Sequence, residues 1–509
     1  MKLNLNGINN LPPSYKIPNF DISAMVARTK KAPTWLHIGA GNIFRILMAG
    51  VQQDLLNNGH ADTGIIVFEP YDESIIPLAF IPHDNLTLAV TLHANGAVDR
   101  QVIASIADGF SHDLPSLCQV VINPSLQMVS LTITEKGYST DHICLKPSFA
   151  ITAIELVTAA LFHRFQLGAK PIALVSMDNF AENGAHLKKA VVTVATAWEA
   201  NEKIQTGSSQ LAGFTDYVKS LSYPWTMVDK ITPRPSEEVA KLLAADGFDD
   251  VAIHKTPKNT FVASFVNAES PEYLIIEDSF PNGRPPLEKA GVYMTDRETV
   301  RKMDQMKVCA CLNPLHTVLA IGGMLLNKST IADCMKDPRL TKLLCRVVDE
   351  LMPTVVNPGI IDPNDFLREV LTERFPNPFI PDEPARIACD TSQKVPVRFG
   401  VTLKLRKDRD LPCANLEGIP LFIALWLRYR IGLDDTGAPM ELSPDPRLPE
   451  TLKVLDGLQF GEKVNLKPIL SDKNLFGVDL YAAGLGEKIE ALFYKLSANA
   501  WAVADNLAT

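Results

Sequence analysis

The chain has 509 residues, more than a single compact core usually organises, so at least two domains are expected. Its formal net charge of −9 argues against a nucleic-acid partner, because phosphate contacts need a basic face. The first twenty residues are polar and contain proline, and no apolar run reaches the ~18 residues that a membrane span needs. We therefore expect a cytoplasmic globular protein without a membrane partner.

Eight cysteines are scattered along the chain without a CxxC pair, and the ten histidines show no zinc-site spacing. Scattered cysteines in a chain of this length are typical of reduced thiols in a cytoplasmic protein. Cys309 and Cys311 are predicted to share a helix, where positions two apart face different directions. The sequence therefore predicts neither a disulfide there nor a catalytic metal.

The front of the chain shows a strand–turn–helix–strand pattern. A short apolar strand over 34–38 leads into a glycine turn, and a helical pattern follows over 46–55 and ends near Asn58. A second buried strand over 64–68 ends at Glu69. This order predicts an α/β fold that begins with a Rossmann-like doubly wound sheet.

Later strands are predicted over 86–92, 101–106, 128–134 and 171–176. The last two end in polar residues, which in an open α/β sheet face the ligand crevice. From about residue 295 onward helical spacing replaces the strand pattern. We expect a dinucleotide-binding domain over 1–290 and a mostly α-helical substrate and catalytic domain over 291–509.

Gly39 and Gly41 supply the tight turn and the bare backbone that let a pyrophosphate approach a helix N-terminus. Phe44 stands where a third glycine would complete the motif, so the context of strand and helix carries the prediction. Glu69 is placed to accept hydrogen bonds from the adenosine ribose. Acidic residues follow it and no Arg or Lys is nearby to pair with a 2′-phosphate, so NAD is favoured over NADP. The alternative is an ordinary turn and a solvated strand end.

Six motifs, in this order, resemble those of the polyol-specific long-chain dehydrogenases. They are GAGNIFR (39–45), LTITEKGY (131–138), SMDNFAENG (176–184), MVDKITP (227–233), IIEDSFPNGRPPLEKAGV (275–292) and RFPNPFIPDEPARIACDTSQKVP (374–396). The resemblance spans most of the chain from about 35 to 400. It implies a metal-independent, NAD-dependent oxidoreductase that interconverts a polyol or sugar acid with its ketone. It also implies a set of cofactor-binding residues: Gly39, Gly41, Asn42, Ile43, Arg45, Glu69, Thr134 and Glu135.

Hydride transfer from an alcohol carbon needs a base for the hydroxyl proton and donors for the alkoxide that forms. A lysine in a desolvated cleft beside NAD⁺ can act as this base, and the resemblance assigns the role to Lys307. It further implies that the amides of Asn179 and Asn313 bind the substrate oxygen and that His316 orients the reacting hydroxyl. The alternatives are a solvated lysine and ordinary helix capping or core hydrogen bonds.

The resemblance also implies that Asp229, Arg386 and Lys394 bind the substrate. Asp229 can accept hydrogen bonds from hydroxyls, whereas Arg386 and Lys394 can donate to hydroxyls or to a carboxylate. The alternative is a structural ion pair at a domain interface. Because a basic pair suits either a sugar acid or a neutral polyol, these residues do not distinguish the two substrate classes.

One feature departs from the family pattern. The family lysine precedes its asparagine by about five positions and its histidine by about eight, whereas Lys307 precedes Asn313 by six and His316 by nine. One extra residue turns a side chain by about 100° on an α-helix. Either a kink at Pro314 or a π-bulge between 308 and 313 absorbs the extra residue. We favour the bulge with Lys307 over the only rival, Lys302, which lies ~16 Å from Asn313 along a helix axis.

The EKGY sequence over 135–138 is most similar to the fructuronate reductases of the family. Mannitol 2-dehydrogenase and tagaturonate reductase activities are the alternatives, and a dinucleotide-binding homologue without turnover is the non-enzymatic one. We expect a small-molecule polyol or sugar-acid substrate and a monomer or weak oligomer.

Overall fold

The computed structural model describes residues 1–206 and 210–508. They form two compact units, Met1–Arg301 and Lys302–Thr509. All eight cysteines are free thiols.

A five-stranded parallel sheet lies at the centre of the first unit. Its strands in chain order are β1 (Trp35–Ile38), β2 (Ile65–Glu69), β3 (Ile106–Ser111), β4 (Met128–Leu131) and β5 (Ala173–Ser176). They lie side by side in the order β3-β2-β1-β4-β5, and every neighbouring pair is parallel. This order confirms the predicted Rossmann-like sheet, and it brings the carboxyl ends of β1, β2 and β4 to one edge.

Both faces of this sheet are buried, as the continuous apolar runs of its strands require. On β1 and β2, Trp35 and Val67 pack into one apolar cluster, whereas Leu36 and Phe68 pack into another on the opposite face. Successive side chains of a strand point to opposite faces, so each strand contributes to both clusters.

The prediction of one strand over 101–106 is wrong. The chain instead forms Val98–Ile103 in a second sheet and then enters β3. The two residues between the strands are buried: the Ala104 amide donates to Gln53 Oε1 at 2.9 Å, and Ser105 Oγ donates to the Ala49 carbonyl at 2.6 Å. These side-chain and helix contacts interrupt the strand, and an apolar run alone does not reveal them.

Smaller sheets and the remaining helices complete the first unit. A mixed sheet joins Tyr15–Lys16, Val98–Ile103, Thr87–Leu92 and Phe265–Glu269; another joins Tyr293–Thr295, Tyr273–Glu277 and Thr226–Asp229; His254–Lys255 pairs with Phe261–Val262. The α-helices are Ile22–Lys31, Ala49–Asn57, Ile75–Ala79, Leu114–Val121, Ala153–Gln166, Asn183–Thr206, Phe214–Ser220 and Glu237–Ala245.

The second unit is helical, as predicted. Its α-helices after Arg297–Met306, which crosses the boundary, are Asn313–Leu325, Ile331–Met335, Pro338–Leu351, Pro363–Glu369, Pro384–Ala388, Thr391–Val395, Val401–Asp408, Gly418–Tyr429, Lys467–Leu470, Lys473–Phe476, Gly486–Leu496 and Ala502–Ala508. Wide π-helical turns occupy Lys307–Cys311, Val370–Arg374 and Pro396–Gly400.

One helical stretch, Arg297–Leu325, is long and apolar enough to cross a membrane by length and composition alone. Within its most apolar window 72% of the residues are buried inside the structure. Such burial is typical of a core helix in a globular domain.

Candidate active site

The glycine turn after β1 provides an open cradle. Gly39 has φ +106°, and a Cβ there would lie 2.3 Å from the Thr132 carbonyl oxygen, so only glycine fits without strain. A Cβ on Gly41 would meet nothing within 4 Å, which leaves open space in front of the backbone. The half-buried Asn42 and Ile43 continue into the π-helical turn Phe44–Met48. A tight turn, a bare backbone and a helix start are the features that fit a dinucleotide pyrophosphate.

Phe44, which stands in place of the third glycine, is fully buried and stacks on His37 with ring centroids 4.2 Å apart. The third glycine of the usual motif permits close packing of helix and strand. In this protein the stacked rings of Phe44 and His37 form the contact between helix and strand. The space in front of Gly41 is open although the third glycine is replaced by Phe44.

The carboxylate of Glu69, which is predicted to bind the adenosine ribose, is engaged by backbone amides. The side chain is 4% exposed and accepts backbone hydrogen bonds from Ala40 (2.7 Å), Tyr71 (2.8 Å) and Asp72 (3.0 Å). Burial raises its pKa, while the three amides oppose that rise. Glu69 therefore ties the glycine turn to the loop after β2, a role that a strand-end position alone does not reveal.

Arg45 is also predicted to bind cofactor, but its side chain is fully buried. Its Nε donates to Thr87 Oγ1 at 3.1 Å, and its guanidinium lies 5.4 Å from the centre of the Phe80 ring. Burial lowers its pKa to about 9. Arg45 is therefore a buried residue of the π-helical turn that follows the glycine turn.

Thr134 and Glu135 are exposed at the carboxyl end of β4, as the sequence predicts. Thr134 has φ +62° and ψ 161°, a backbone conformation that a β-branched residue rarely adopts. Asp178 holds it there by accepting hydrogen bonds from the amides of Ile133 (3.1 Å) and Thr134 (2.9 Å) and from Tyr138 Oη (2.7 Å). Burial raises the pKa of Asp178, and these donors oppose the rise.

Asn179 follows Asp178 and is exposed at the end of β5. The fully buried Asn183 fixes its turn, since Asn183 Nδ2 donates to the Asp178 carbonyl at 2.9 Å and to Thr226 Oγ1 at 2.8 Å. Asp229 is buried at the end of the strand Thr226–Asp229. The first unit therefore holds Asn179 and Asp229 at the ends of two strands that Asn183 links.

In the second unit, Lys307 begins a π-helical turn that runs to Cys311. The Leu312 amide donates to the Lys307 carbonyl at 3.2 Å, and the α-helix resumes at Asn313. This confirms the predicted bulge between 308 and 313. Lys307 is 3% exposed, and its Nζ lies 4.0 Å from Asp304 Oδ1. Lys307 is therefore a buried amine next to a carboxylate rather than a solvated surface charge.

Asn313 starts the next helix, and Arg398 holds its backbone in place. Arg398 Nη1 donates to the Asn313 carbonyl at 3.0 Å and to Thr317 Oγ1. Burial lowers the pKa of Arg398 to about 10. Arg398 is not among the predicted site residues, because it lies in another π-helical turn, Pro396–Gly400, far along the chain from Asn313.

His316 lies one turn after Asn313 and is paired with a carboxylate. Its Nε2 lies 2.6 Å from Asp382 Oδ2, and its ring centre lies 5.2 Å from that of Phe375. Asp382 is 8% exposed and also accepts a hydrogen bond from Arg386. Although burial opposes the change, His316 and Arg386 lower the pKa of Asp382. Asp382 thus links two predicted site residues, and the sequence analysis missed it although it stands in the DEPAR stretch.

Arg386 and Lys394 differ in exposure. The Arg386 side chain is 67% exposed, whereas Lys394 is half-buried and donates to the carbonyls of Ile387 at 2.8 Å and Cys389 at 2.5 Å. Burial lowers the pKa of Lys394 to about 8. An ammonium has three N–H donors, so two carbonyls leave one donor for a ligand.

Within the part of the chain that the structure describes, no group of three or more His, Cys, Asp or Glu side chains could hold a metal ion. The chemistry that these residues offer is a buried amine, a carboxylate-bound imidazole and neutral amides. Together with an open dinucleotide cradle, they are the components of proton and hydride transfer at an alcohol carbon.

The domain families that match this chain are those of a dehydrogenase, in agreement with these chemical groups. Residues 33–289 match the mannitol dehydrogenase Rossmann domain, and residues 299–496 match the mannitol dehydrogenase C-terminal domain. The chain belongs to the mannitol dehydrogenase family, and it is an oxidoreductase with a Rossmann-like first unit and a helical second unit.

Two relatives and one solved structure are similar to this chain over most of its length. The chain is similar to the D-mannonate oxidoreductase of Thermotoga maritima, with 45% identity over 100% of this chain and 98% of the relative. It is 31% identical to the mannitol 2-dehydrogenase of Cereibacter sphaeroides over 83% of this chain and 85% of that protein. The structure of the Pseudomonas fluorescens mannitol 2-dehydrogenase ternary complex with NAD and D-mannitol is similar with a TM-score of 0.71 and 25% identity, covering 100% of this chain and 99% of the other.

Proposed function

We propose that this protein is a fructuronate reductase, which interconverts D-fructuronate and D-mannonate with NAD(H). The 45% identity to a D-mannonate oxidoreductase over nearly the full length of both chains supports this substrate. The observation that carries the chemistry is Lys307, buried on a π-helical turn directly before the helix of Asn313 and His316.

We assign the proton transfer to Lys307. During oxidation its neutral amine accepts the hydroxyl proton of the substrate, and during reduction its ammonium returns the proton to the carbonyl oxygen. Lys307 is buried away from water, and its Nζ lies 4.0 Å from Asp304 Oδ1. When bound, NAD accepts the hydride from the carbon that carries the hydroxyl, and NADH returns it.

Neutral donors hold the reacting oxygen in this proposal. The amides of Asn179 and Asn313 donate to it without forming an ion pair, which lets the oxygen lose its charge when the proton returns. His316 orients the hydroxyl in this proposal, and the Asp382 carboxylate lies 2.6 Å from its Nε2. Arg398 is a positioning residue, since it holds the backbone of Asn313 at 3.0 Å.

We further propose that Asp229 accepts hydrogen bonds from substrate hydroxyls and that Arg386 and Lys394 bind the carboxylate of the sugar acid. The exposed Arg386 and the remaining N–H of Lys394 supply the donors. In this proposal residues 1–290 form the cofactor domain, residues 291–509 form the catalytic domain, and the protein acts in the cytoplasm as a monomer or weak oligomer.

The substrate is tested by NADH oxidation with purified protein and four ketones: fructuronate, tagaturonate, fructose and fructose 6-phosphate. We expect the highest kcat/KM with fructuronate and D-mannonate as the product, identified by chromatography. A preference for fructose would replace the proposed function with mannitol 2-dehydrogenase activity, and a preference for tagaturonate would change the sugar acid.

A further inference from the structure

A short hairpin over 254–262 lies beside the end of β2, where a Rossmann-like sheet holds the adenosine ribose. Its strands, His254–Lys255 and Phe261–Val262, pair antiparallel. Thr256 Oγ1 in the hairpin donates to Asp72 Oδ2 at 2.6 Å, and both side chains are buried. This buried hydrogen bond fixes the hairpin against the loop that follows Glu69.

The hairpin brings cations to a strand end that has none nearby in the sequence. Lys258 Nζ lies 4.9 Å from the centre of the Tyr71 ring, and Tyr71 is 63% exposed two residues after Glu69. On the same hairpin, the Phe261 ring lies 4.8 Å from the Arg234 guanidinium and 5.8 Å from Lys255 Nζ. Lys258, Lys255 and Arg234 are all exposed. No Arg or Lys lies near Glu69 in the sequence, but the fold brings Lys258 to the loop that follows Glu69.

Two of the three carboxylates in the loop after β2, which would repel a phosphate there, are buried and accept hydrogen bonds within the protein. Glu69 is buried and accepts three backbone hydrogen bonds. Asp72 is buried, accepting from Thr256 and from the Ser74 amide at 3.2 Å. Glu73 is the one exposed carboxylate of this loop. Lys258 is thus an exposed cation against the Tyr71 ring, while two of the three carboxylates of this loop are buried and engaged.

We propose that Lys258 binds a 2′-phosphate on the adenosine ribose, so that the protein uses NADP(H) as a second cofactor beside NAD(H). A basic side chain at the end of the second Rossmann strand is the usual partner of that phosphate. The lysine ammonium is a compact charge suited to phosphate, and the Tyr71 ring holds it in position by a cation–π contact. This inference rests on the dinucleotide site of the proposed function.

Direct binding tests the inference without any turnover. Titration calorimetry compares 2′,5′-ADP with AMP, two fragments that differ only by the 2′-phosphate, on the wild-type protein, Lys258→Gln and Lys255→Gln. Lys255 is a matched control, because it is exposed on the same hairpin but contacts Phe261 instead of Tyr71. We expect tighter binding of 2′,5′-ADP by the wild type and by Lys255→Gln, and a loss of about tenfold in Lys258→Gln with AMP unchanged.

Steady-state kinetics gives the second readout. The ratio of kcat/KM for NADPH to that for NADH is expected to fall about tenfold in Lys258→Gln and to stay within about twofold in Lys255→Gln. Equal binding of the two fragments by the wild type, or equal losses in both variants, would overturn the inference while NADH-dependent reduction of fructuronate still stood. Lys258-dependent binding of 2′,5′-ADP by a protein that reduces none of the four ketones would instead retain the inference and refute the proposed substrate.

Discussion

His37 lies two residues before the glycine turn and is fully buried in the sheet. Its Nδ1 lies 2.6 Å from Ser130 Oγ and its Nε2 lies 2.9 Å from Thr132 Oγ1. Trp35 Nε1 donates to the same Ser130 Oγ at 2.7 Å, so the buried imidazole is surrounded by neutral hydrogen-bonding side chains. Burial lowers the pKa of His37 to about 3.

This buried imidazole predicts a pH-dependent loss of stability. Between about pH 6.5 and about pH 3 the unfolded chain binds a proton at His37 that the folded chain excludes. The free energy of unfolding therefore falls as pH falls through this window, by up to about 1.4 kcal/mol per pH unit from this group. Thermal unfolding across the window is expected to show a steeper fall for the wild type than for His37→Gln. Parallel curves would contradict a neutral His37 in the folded state.

Some residues of the candidate site could be predicted from the sequence, and others could not. Lys307 was predicted from its motif, and the structure places it in a buried turn. Asp382 and Arg398 were not predicted, because their partners His316 and Asn313 lie far away along the chain. The engagement of Glu69 with three amides depends on the shape of two loops, which the strand pattern does not specify.

At the level of elements, the two glycines of the first turn have separable roles. Gly39 needs its positive φ and lies too close to the Thr132 carbonyl for a side chain, whereas Gly41 faces open space. Folding therefore requires glycine at 39, and in the proposed function the open space at Gly41 receives the pyrophosphate.

We therefore expect opposite outcomes from two alanine substitutions. Gly41→Ala should leave the unfolding temperature unchanged and weaken NADH binding by about 1–3 kcal/mol, which is a factor of about 5 to 150 in Kd. Gly39→Ala should lower the unfolding temperature, since strain of about 1–3 kcal/mol adds to the close contact. Fluorescence titration with NADH and thermal unfolding measure both effects. Unchanged NADH affinity in Gly41→Ala would mean that the pyrophosphate does not approach this turn.

The π-helical turn Lys307–Cys311 accommodates the extra residue between Lys307 and Asn313. This turn could be predicted from the sequence. The family lysine and asparagine are about five residues apart, whereas Lys307 and Asn313 are six apart, and an unbroken α-helix cannot give both pairs the same relative orientation.

Deleting Cys309 tests this turn. The deletion should convert it to an α-helical turn and rotate Lys307 by about 100° relative to Asn313. We expect kcat with fructuronate to fall at least about a hundredfold, because misplacement of a reacting group is that costly. Cys309→Ala keeps the spacing and should retain activity, and NADH binding, a property of the first unit, should stay unchanged in both variants. A fully active deletion variant would show that the turn does not position Lys307.

On the scale of the whole molecule, the proposed function gives each unit a different part of the chemistry. The first unit holds the dinucleotide cradle with Asn179 and Asp229, and the second holds Lys307, His316 and the basic residues of the 374–396 segment. The Rossmann-like class of the parallel sheet followed from the strand–helix alternation at the front of the chain. The hairpin over 254–262 did not, because only the folded chain shows that its lysines lie beside β2.

The most direct test of the central claim measures NADH-dependent reduction of fructuronate by the wild type, Lys307→Ala and Lys302→Ala, with NADH affinity measured in parallel. Lys302 is the matched control, since it precedes the π-helical turn on the neighbouring helix Arg297–Met306. We predict a loss of about 10²–10⁴-fold in kcat for Lys307→Ala, near wild-type rates for Lys302→Ala and unchanged NADH binding in both. Wild-type turnover in Lys307→Ala, or an equal loss in Lys302→Ala, would contradict the assignment of Lys307 as the proton-transfer group.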